Sequence, residues 1–417
     1  MNSLIKSWIP VAKHSDFPIQ NLPFGIFRKE NTSPSVCSII GDQVIDLAAL
    51  HGCGLLPISG LSGEILINLY LNDFIALGKQ TTREMRARLQ EIFDIDAEKD
   101  VKETAALCLH PADSVEMLLP LRIGNYTDFY SSKEHATNVG SMFRDPDKAL
   151  LPNWLHLPVA YHGRASSIVV SGTSIKRPFG QTEPGAGGIP GFGPTKLLDF
   201  ELEMGFVIGR ETQPGHSVST AEAEDYIFGL ALFNDWSARD IQKWEYVPLG
   251  PFLSKNFAST ISPWIITLDA LEPFRVMGPV QSPEVLPYLQ FAGMKNYDIN
   301  LEVDITTAGG HRKTVCKSNF KYMYWNMCQQ LAHHTVNGCN IQVGDVYASG
   351  TISGPDPSSY GSMLELTWRG TKPIEMPDGS QRKFIEDGDT VTLRGYAEKD
   401  GVRVGFGEAA GMIVAAN

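Results

Sequence analysis

Hydrophobic and acidic residues alternate along residues 198–204, which read Leu-Asp-Phe-Glu-Leu-Glu-Met. As a β-strand, this segment places Asp199, Glu201 and Glu203 on one face and the apolar side chains on the other. The carboxylates repel one another unless water or a cation lies between them. The strand continues into the apolar residues 206–208, which predicts burial, and buried acids need partners. A half-exposed strand with solvated glutamates is the alternative interpretation.

The remaining apolar patterns predict more strands than helices. Period-two or continuous apolar runs predict strands at 36–40, 44–47, 167–170, 229–233, 264–266, 346–348 and 391–393. Three Gly-Asp pairs are typical of hairpin turns before strands, Gly41-Asp42, Gly344-Asp345 and Gly388-Asp389. We also expect Glu365 to lie inside an apolar strand at 362–366.

Helical spacing predicts helices at 65–77, 82–93 and 220–227, the second with its three arginines on the solvent side. Ser131 or Ser132 is predicted to cap a short helix that contains His135. Ser237 is predicted to cap a further helix, one face of which carries Arg239, Gln242 and Tyr246 at i, i+3 and i+7. A solvated polar face is the alternative interpretation of that spacing.

Length and composition describe an ordinary globular protein with a large core. The 417 residues are 43% hydrophobic and 20% charged, and prolines around 111–120 predict a boundary between a structural unit, 1–118, and a catalytic unit, 119–417. With 35 basic and 47 acidic residues the formal charge is −12, which argues against a nucleic-acid or anionic-membrane partner. Six scattered cysteines and no signal-like segment predict a cytosolic protein with reduced thiols.

Four acids stand out by context, namely Asp128, Glu201, Glu203 and Asp235. Four negative charges can share a site only with a cation or with protons. An all-oxygen set favours Mg²⁺, Ca²⁺ or Mn²⁺ over zinc or copper. Nearby candidates could bind an anionic oxygen (Arg239, Gln242, Lys255) or act as a base (His135, held by Glu365). No serine-nucleophile, P-loop or dinucleotide motif is present.

Several motifs together resemble the fumarylacetoacetate hydrolase family. They are Asp-Phe-Glu-Leu-Glu at 199–203, Phe-Asn-Asp-Trp-Ser-Ala-Arg-Asp-Ile-Gln at 233–242, the stretch 163–181, and Ala-Ser-Gly-Thr-Ile-Ser-Gly-Pro-Asp at 348–356. The resemblance covers essentially the whole chain. It implies a mainly β (α+β) fold, with a small SH3-like N-terminal barrel and a larger mixed β-sandwich-roll domain. It also implies a homodimeric enzyme of tyrosine and phenylalanine breakdown that hydrolyses a carbon–carbon bond to give fumarate and acetoacetate.

The resemblance assigns roles by motif. Asp128, Glu201, Glu203 and Asp235 would bind Ca²⁺ or Mg²⁺, a Lewis acid for the substrate's diketone oxygens. His135, oriented by Glu365, would deprotonate water, while Arg239, Gln242 and Lys255 would stabilise the oxyanion and the leaving carbanion. Substrate contacts would come from Tyr130, Arg144, Tyr161, Gln242, Tyr246 and Thr351. Where the family usually has Gly-Thr-Thr this chain has Ala258-Ser259-Thr260, which leaves a second cation site at Lys255 and Ser259 open.

Two alternative functions remain at this point. The first is a sister enzyme on the same scaffold, an acylpyruvate hydrolase or an oxaloacetate decarboxylase. The second is a non-enzymatic divalent-cation or carbohydrate-binding protein, which would leave His135 and Glu365 without a role.

Overall fold

The computed structural model describes residues 5–185 and 187–416 of the chain. Its strands are β1 (Gly25–Arg28), β2 (Ser35–Ile40), β3 (Gln43–Asp46), β4 (Leu109–Pro111), β5 (Glu116–Met117), β6 (Tyr126–Phe129), β7 (Ala160–His162), β8 (Ile168–Val170), β9 (Ile175–Lys176), β10 (Phe179–Thr182), β11 (Gly191–Pro194), β12 (Leu198–Asp199), β13 (Leu202–Ile208), β14 (Ile227–Asp235), β15 (Ser237–Ala238), β16 (Ser259–Ile261), β17 (Ile266–Thr267), β18 (Arg275–Val276), β19 (Asn296–Tyr297), β20 (Asn300–Thr306), β21 (Arg312–Asn319), β22 (Val346–Ala348), β23 (Ile374–Glu375), β24 (Gln381–Arg382), β25 (Thr390–Lys399) and β26 (Val402–Val414).

The α-helices are short, apart from one of 15 residues. They are α1 (Leu47–Gly52), α2 (Gly63–Leu66), α3 (Asn72–Ala76), α4 (Lys79–Phe93), α5 (Lys99–Ala106), α6 (Lys133–Phe143), α7 (Ala223–Tyr226), α8 (Arg239–Glu245), α9 (Leu268–Leu271), α10 (Met327–Thr335) and α11 (Met363–Leu366). Strands dominate the rest, so the predicted mainly β class with a small N-terminal unit and a larger second unit is confirmed. No helix among the described residues has the length and apolar character needed to cross a membrane.

The N-terminal strands form an antiparallel sheet in the order β4-β3-β2-β1-β5. The predicted hairpin between β2 and β3 is confirmed, since Ile40 pairs with Gln43 and Gly41 adopts φ +62°. A positive φ is costly for a side chain with a Cβ atom, and glycine avoids that cost.

The larger unit is built from two packed sheets. The first has the order β7-β6-β22-β13-β14-β16-β8, with β17 also paired to β14, and the second has the order β21-β20-β25-β26-β9. Their facing side chains form one core, in which Leu230 and Leu232 of the first sheet join Val303 and Phe406 of the second. Apolar residues that alternate along a strand bury one face of the sheet in this way.

The opposite face of the first sheet is shared between two environments. At one end, Val207, Phe233 and Val346 join the core that contains Phe24 and Ile26 of the N-terminal unit. Towards the other end of this face, β6, β13 and β14 carry acids at positions 128, 203 and 235. Side chains alternate along each strand, which places these acids on the same face as the apolar residues. The boundary at 118/119 therefore stays a prediction, because one hydrophobic core spans it.

Tertiary contacts overruled several predictions from local pattern. The prediction of one helix at 65–77 is wrong, because α2 and α3 are separate helices. Between them, the Leu71 amide donates a hydrogen bond to the Pro120 carbonyl and not to a carbonyl of a helix. Arg86 is not on the solvent side of α4, because it is 7% exposed and donates to the carbonyls of residues 20–22. The 220–227 helix shortens to α7, because β14 begins at Ile227.

Other corrections concern segments near the acids. Glu365 lies in helix α11, not in a strand, and Ser362 caps that helix. Ser237 does not cap α8, because it pairs with Asp199 between β15 and β12. The strand predicted at 264–266 begins only at Ile266. The glycine turns at 344 and 388 precede strands, but β22 and β25 pair with strands elsewhere in the chain, so neither turn closes a hairpin.

Candidate active site

Three carboxylates converge at one end of the first sheet. Asp128 comes from β6, Glu203 from β13 and Asp235 from the end of β14, and one oxygen of each lies within 4.8 Å of the others. Strand register produces this convergence, because Ala348 of β22 pairs with Asp128 while β13 pairs with β22 and β14. All three side chains are buried.

The cluster fits a hard cation. Burial, and then the charges of neighbouring carboxylates, raise the pKa of Asp128 and of Glu203 well above their ordinary values. Asp128 Oδ1 and Glu203 Oε1 are buried without a hydrogen-bond partner among the described residues. Such orphaned oxygens are costly, and coordination of a divalent ion satisfies them.

Glu201 lies beside this cluster but is used differently. Its Oε1 pairs with Arg239 Nη1 at 2.7 Å and its Oε2 with Lys255 Nζ at 2.5 Å. Burial alone would raise the pKa of Glu201, but the charges of Lys255 and Arg239 outweigh it and lower the pKa. Glu201 is therefore ionised and already satisfied by two basic side chains, while its role as a metal ligand stays a prediction.

Lys255 and Ser259 both contact Asp235. Lys255 Nζ lies 2.6 Å from Asp235 Oδ2, and Ser259 Oγ donates to Asp235 Oδ1 at 3.0 Å. Burial disfavours the charge of Lys255, but Asp235 and Glu201 outweigh it and raise the pKa of the ammonium group. Lys255 therefore supplies a buried positive charge inside the acidic cluster. A second cation site at these two residues stays a prediction.

Two tyrosines orient the carboxylates. The Tyr161 hydroxyl donates to Asp235 Oδ2 at 2.7 Å, and the Tyr126 hydroxyl donates to Asp128 Oδ2. Gly163 makes this possible, because a Cβ atom there would lie 2.0 Å from the Tyr126 ring. Tyr161, predicted to contact substrate, thus also holds an acid of the cluster.

His135 and Glu365 form a buried pair. His135 Nδ1 lies 2.7 Å from Glu365 Oε2, and their side chains are 4% and 0% exposed. Ser132 caps α6 as predicted and thereby fixes His135 in the first helical turn. Burial would raise the pKa of Glu365, but His135 and the hydrogen-bond donors around the carboxylate lower it. Because the carboxylate engages Nδ1, Nε2 is the ring nitrogen left to accept a proton.

Sequence reasoning missed the donors that hold Glu365. Ser353 Oγ donates to both carboxylate oxygens at 3.0 and 2.9 Å, Ser362 Oγ to Oε2 at 2.9 Å, and Asn138 Nδ2 to Oε1 at 2.9 Å. Only Ser362 left a signal, since a serine three residues before a glutamate is typical of a helix start.

Arg239 and Gln242 meet as predicted from their shared helical face. Arg239 Nη1 donates to Gln242 Oε1 at 3.2 Å. The other terminal nitrogen of Arg239, Nη2, and the hydroxyl of Thr351 are buried without a hydrogen-bond partner among the described residues. Buried polar groups of this kind are candidates to contact a substrate.

The other predicted substrate residues divide into two groups. The Tyr130 ring lies edge-on to the His135 ring, with centroids 5.2 Å apart. Arg144 instead donates from Nε and Nη2 to the Ala149 carbonyl at 3.1 and 2.6 Å, and Tyr246 is 53% exposed at the end of α8. The structure therefore brings Tyr130 to the site and leaves Arg144 and Tyr246 engaged or exposed elsewhere.

Comparisons with known proteins agree with this architecture. A family model described as "Fumarylacetoacetate (FAA) hydrolase C-terminal" matches residues 125–413, and one described as "Fumarylacetoacetase N-terminal" matches residues 20–120. The chain is 51% identical to a fumarylacetoacetase of Homo sapiens over 414 residues, covering 98% of this chain and 99% of the relative. It is 52% identical to a fumarylacetoacetase of Dictyostelium discoideum, covering 100% and 99%. A solved fumarylacetoacetate hydrolase from psychrophilic Exiguobacterium antarcticum has the same fold, with a TM-score of 0.52 at 16% identity and coverage of 94% and 99%.

Proposed function

The chain belongs to the fumarylacetoacetase family, and from this membership we propose that it hydrolyses 4-fumarylacetoacetate to fumarate and acetoacetate. This reaction is the last step of tyrosine and phenylalanine breakdown. The observation that carries the proposal is a buried carboxylate cluster with Glu201 beside it, a buried His–Glu pair, and an Arg239 that pairs with Glu201 while its Nη2 has no partner among the described residues. The near-complete coverage of relatives at about 51% identity supports the same substrate.

Asp128, Glu203 and Asp235, with Glu201 beside them, are proposed to hold a divalent cation, Ca²⁺ or Mg²⁺. The support is chemical, because the donor set is all oxygen and two of its oxygens lack partners among the described residues. When bound, such an ion supplies Lewis acidity to the oxygens of a 1,3-diketone. Lys255 contributes a fixed positive charge against the remaining acids.

His135 is proposed as the general base. Glu365 fixes its tautomer through Nδ1, so Nε2 can remove a proton from water as the water oxygen attacks the substrate carbonyl carbon. The carbon–carbon bond then breaks, its electron pair goes to the acetoacetate carbon, and the proton returns to that carbon. The new carbon–oxygen bond completes fumarate.

Arg239 is proposed to stabilise the negative oxygen that develops during attack. Its Nη2 is a buried donor with no partner within residues 5–185 and 187–416, and donors of this kind are strongest where water is excluded. Gln242 and Lys255 are proposed to assist, and the buried hydroxyl of Thr351 is proposed to bind substrate. Tyr130, Tyr161, Arg144 and Tyr246 are proposed substrate contacts; the last two require rearrangement from the positions described above.

The test is an assay of purified protein on fumarylacetoacetate, an acylpyruvate and oxaloacetate, each with and without a chelator. We expect fumarate and acetoacetate from the first substrate alone, and loss of turnover on chelation that added Ca²⁺ or Mg²⁺ reverses. His135→Ala should abolish turnover while calorimetry still detects ion binding. Turnover of an acylpyruvate or oxaloacetate alone would assign a sister activity, and turnover that survives full chelation would remove the ion from the mechanism.

A homodimer is also proposed. The support is an exposed apolar surface beside α8, where Phe179 and Phe192 pair across the β10–β11 hairpin and Trp244 donates to Gln181 of that hairpin. Leu249, in the following loop, is 96% exposed. Extended apolar surfaces of this kind mark interfaces. Light scattering should give twice 45.8 kDa, and Leu249→Asp should lower that mass; a monomeric wild-type mass contradicts the proposal.

A cytosolic location is proposed from cysteine usage. All six cysteines are free thiols, four of them buried, as expected of proteins in a reducing compartment. Cell fractionation that recovers the activity with cytosolic markers would support this, and recovery with organelles would contradict it.

A further inference from the structure

Asp199 is a buried acid that the proposed mechanism does not use. It lies on β12, beside the segment that carries Glu201 and Glu203, and it is 0% exposed. Alternation predicts the same strand face for all three acids. The Asp199 carboxylate nevertheless accepts hydrogen bonds from Arg239 and from the start of helix α11. A fully buried carboxylate must be matched by donors, and the identity of those donors indicates what it holds in place.

The first group that Asp199 holds is the Arg239 guanidinium. Asp199 Oδ2 accepts a hydrogen bond from Arg239 Nε at 2.8 Å. Arg239 Nη1 is held by Glu201 at 2.7 Å, so two acids fix two of its nitrogens, and Nη2 has no partner in the part of the chain that the structure describes. Because a guanidinium is planar, fixing two nitrogens also fixes the direction of the third.

The second group is helix α11, which carries Glu365. Asp199 Oδ1 accepts from the amide of Met363 at 2.6 Å, and Oδ2 accepts from the amide of Leu364 at 3.0 Å. These are the first two residues of the helix, and Ser362 caps the third, Glu365. The start of α11 is therefore anchored to the same carboxylate that holds Arg239.

We propose that Asp199 is a positioning residue that sets the Arg239 guanidinium and the Glu365 helix in one common geometry. This deepens the proposed function and rests on it, since it assigns Arg239 and Glu365 their roles in that hydrolysis. Asp199 does not touch the reacting atoms. It couples the donor for the developing oxyanion to the residue that orients the base, so that both are correctly placed at the same time.

The primary test is Asp199→Asn, with Asp389→Asn as a matched control. Asp389 is also 0% exposed and is also bonded to an arginine and a backbone amide, through Arg382 at 2.7 and 2.9 Å and Glu386 at 3.0 Å. Asp199→Asn replaces one carboxylate oxygen by an amide nitrogen. That nitrogen cannot accept a hydrogen bond, so at least one of the three donors from Arg239, Met363 and Leu364 loses its acceptor. We expect kcat to fall about 10²-fold, as for a small misplacement of catalytic groups, with KM within about threefold. Asp389→Asn should lower Tm and leave kcat unchanged.

A double-mutant cycle separates positioning from general support. In the Arg239→Met background and in the Glu365→Gln background, Asp199→Asn should lower kcat by less than its roughly 10²-fold effect in the wild type, because one of the two groups that it positions is already missing. A full loss in both backgrounds would overturn the proposal. Ca²⁺ affinity measured by calorimetry should stay within about twofold of wild type, and a parallel loss of affinity and kcat would assign the effect to the carboxylate cluster instead.

A second variant separates the loss of positioning from a loss of folding. Asp199→Glu keeps the charge that neutralises Arg239 and moves the carboxylate by one methylene, so it should fold and still lose kcat. Wild-type kcat in Asp199→Glu would overturn the proposal. If the wild-type protein turns over an acylpyruvate and not fumarylacetoacetate, the proposed function fails, and the same cycle on that substrate still decides the role of Asp199.

Discussion

Replacement of Glu365 by glutamine tests the His–Glu pair directly. The Glu365 carboxylate lies 2.7 Å from His135 Nδ1 in a site where both side chains are almost fully buried. Abstraction of a proton from water would leave a positive imidazolium beside this carboxylate. With the charge centres roughly 4 Å apart and an effective dielectric constant near 20, their attraction is about 4 kcal/mol. Loss of that attraction corresponds to about a 10³-fold decrease in kcat.

The same variant should leave ion binding intact, because Glu365 lies outside the cluster of Asp128, Glu203 and Asp235. Turnover is followed through disappearance of the diketone absorbance, and ion binding through calorimetry. Glu134→Gln is the matched control, since it removes a neighbouring acid of α6 that makes no hydrogen bond to His135 among the described residues. A kcat for Glu365→Gln within about threefold of wild type would refute the role of this carboxylate in stabilising the imidazolium.

Four further outcomes follow from the same geometry. Glu203→Gln should weaken Ca²⁺ or Mg²⁺ binding in calorimetry by at least about tenfold, since it removes a charged ligand; unchanged affinity would exclude Glu203 from the ion site. Lys255→Met should lower kcat more than it raises KM, and a change confined to KM would make Lys255 a binding residue only. Gly163→Ala should lower stability by about 1–3 kcal/mol, because its Cβ meets the Tyr126 ring; an unchanged Tm would contradict that contact. Folding lowers the pKa of Glu365 from 4.5. Its ionised carboxylate therefore stabilises the folded protein above pH 4.5, and this contribution is lost as the pH falls through the lower pKa of the folded state. The difference in Tm between the wild type and Glu365→Gln should shrink on acidification, and a wider difference would contradict this.

Local pattern predicted the elements whose stability is mainly local or repetitive. The β2–β3 hairpin, strands β13, β14 and β22, and the Ser132 cap all follow from alternation, turn chemistry or capping. Alternation along 199–203 also pointed to buried acids in need of partners.

What local pattern could not supply is the choice of partner. Alternation makes Asp199 and Glu203 look equivalent on one strand face. Asp199 accepts hydrogen bonds from an arginine and a helix start, whereas Glu203 keeps one oxygen without a partner among the described residues. The helical pattern predicts a solvent-exposed Arg86, but its guanidinium donates to the carbonyls of residues 20–22. In each case the decisive contact is remote in sequence, and periodicity carries no information about it.

The face of the first sheet that carries the acids also rests on the N-terminal unit. Tyr126 and Phe233 belong to the core shared with that unit, with ring centroids 5.1 Å apart, and each precedes an acid of the cluster by two residues on the same strand. The N-terminal unit thus packs against the strand segments that carry the carboxylate cluster. A substitution in the N-terminal unit that loosens this packing is expected to weaken ion binding, as the loss of a ligand would. Such a variant should regain activity when excess ion is supplied, as mass action requires.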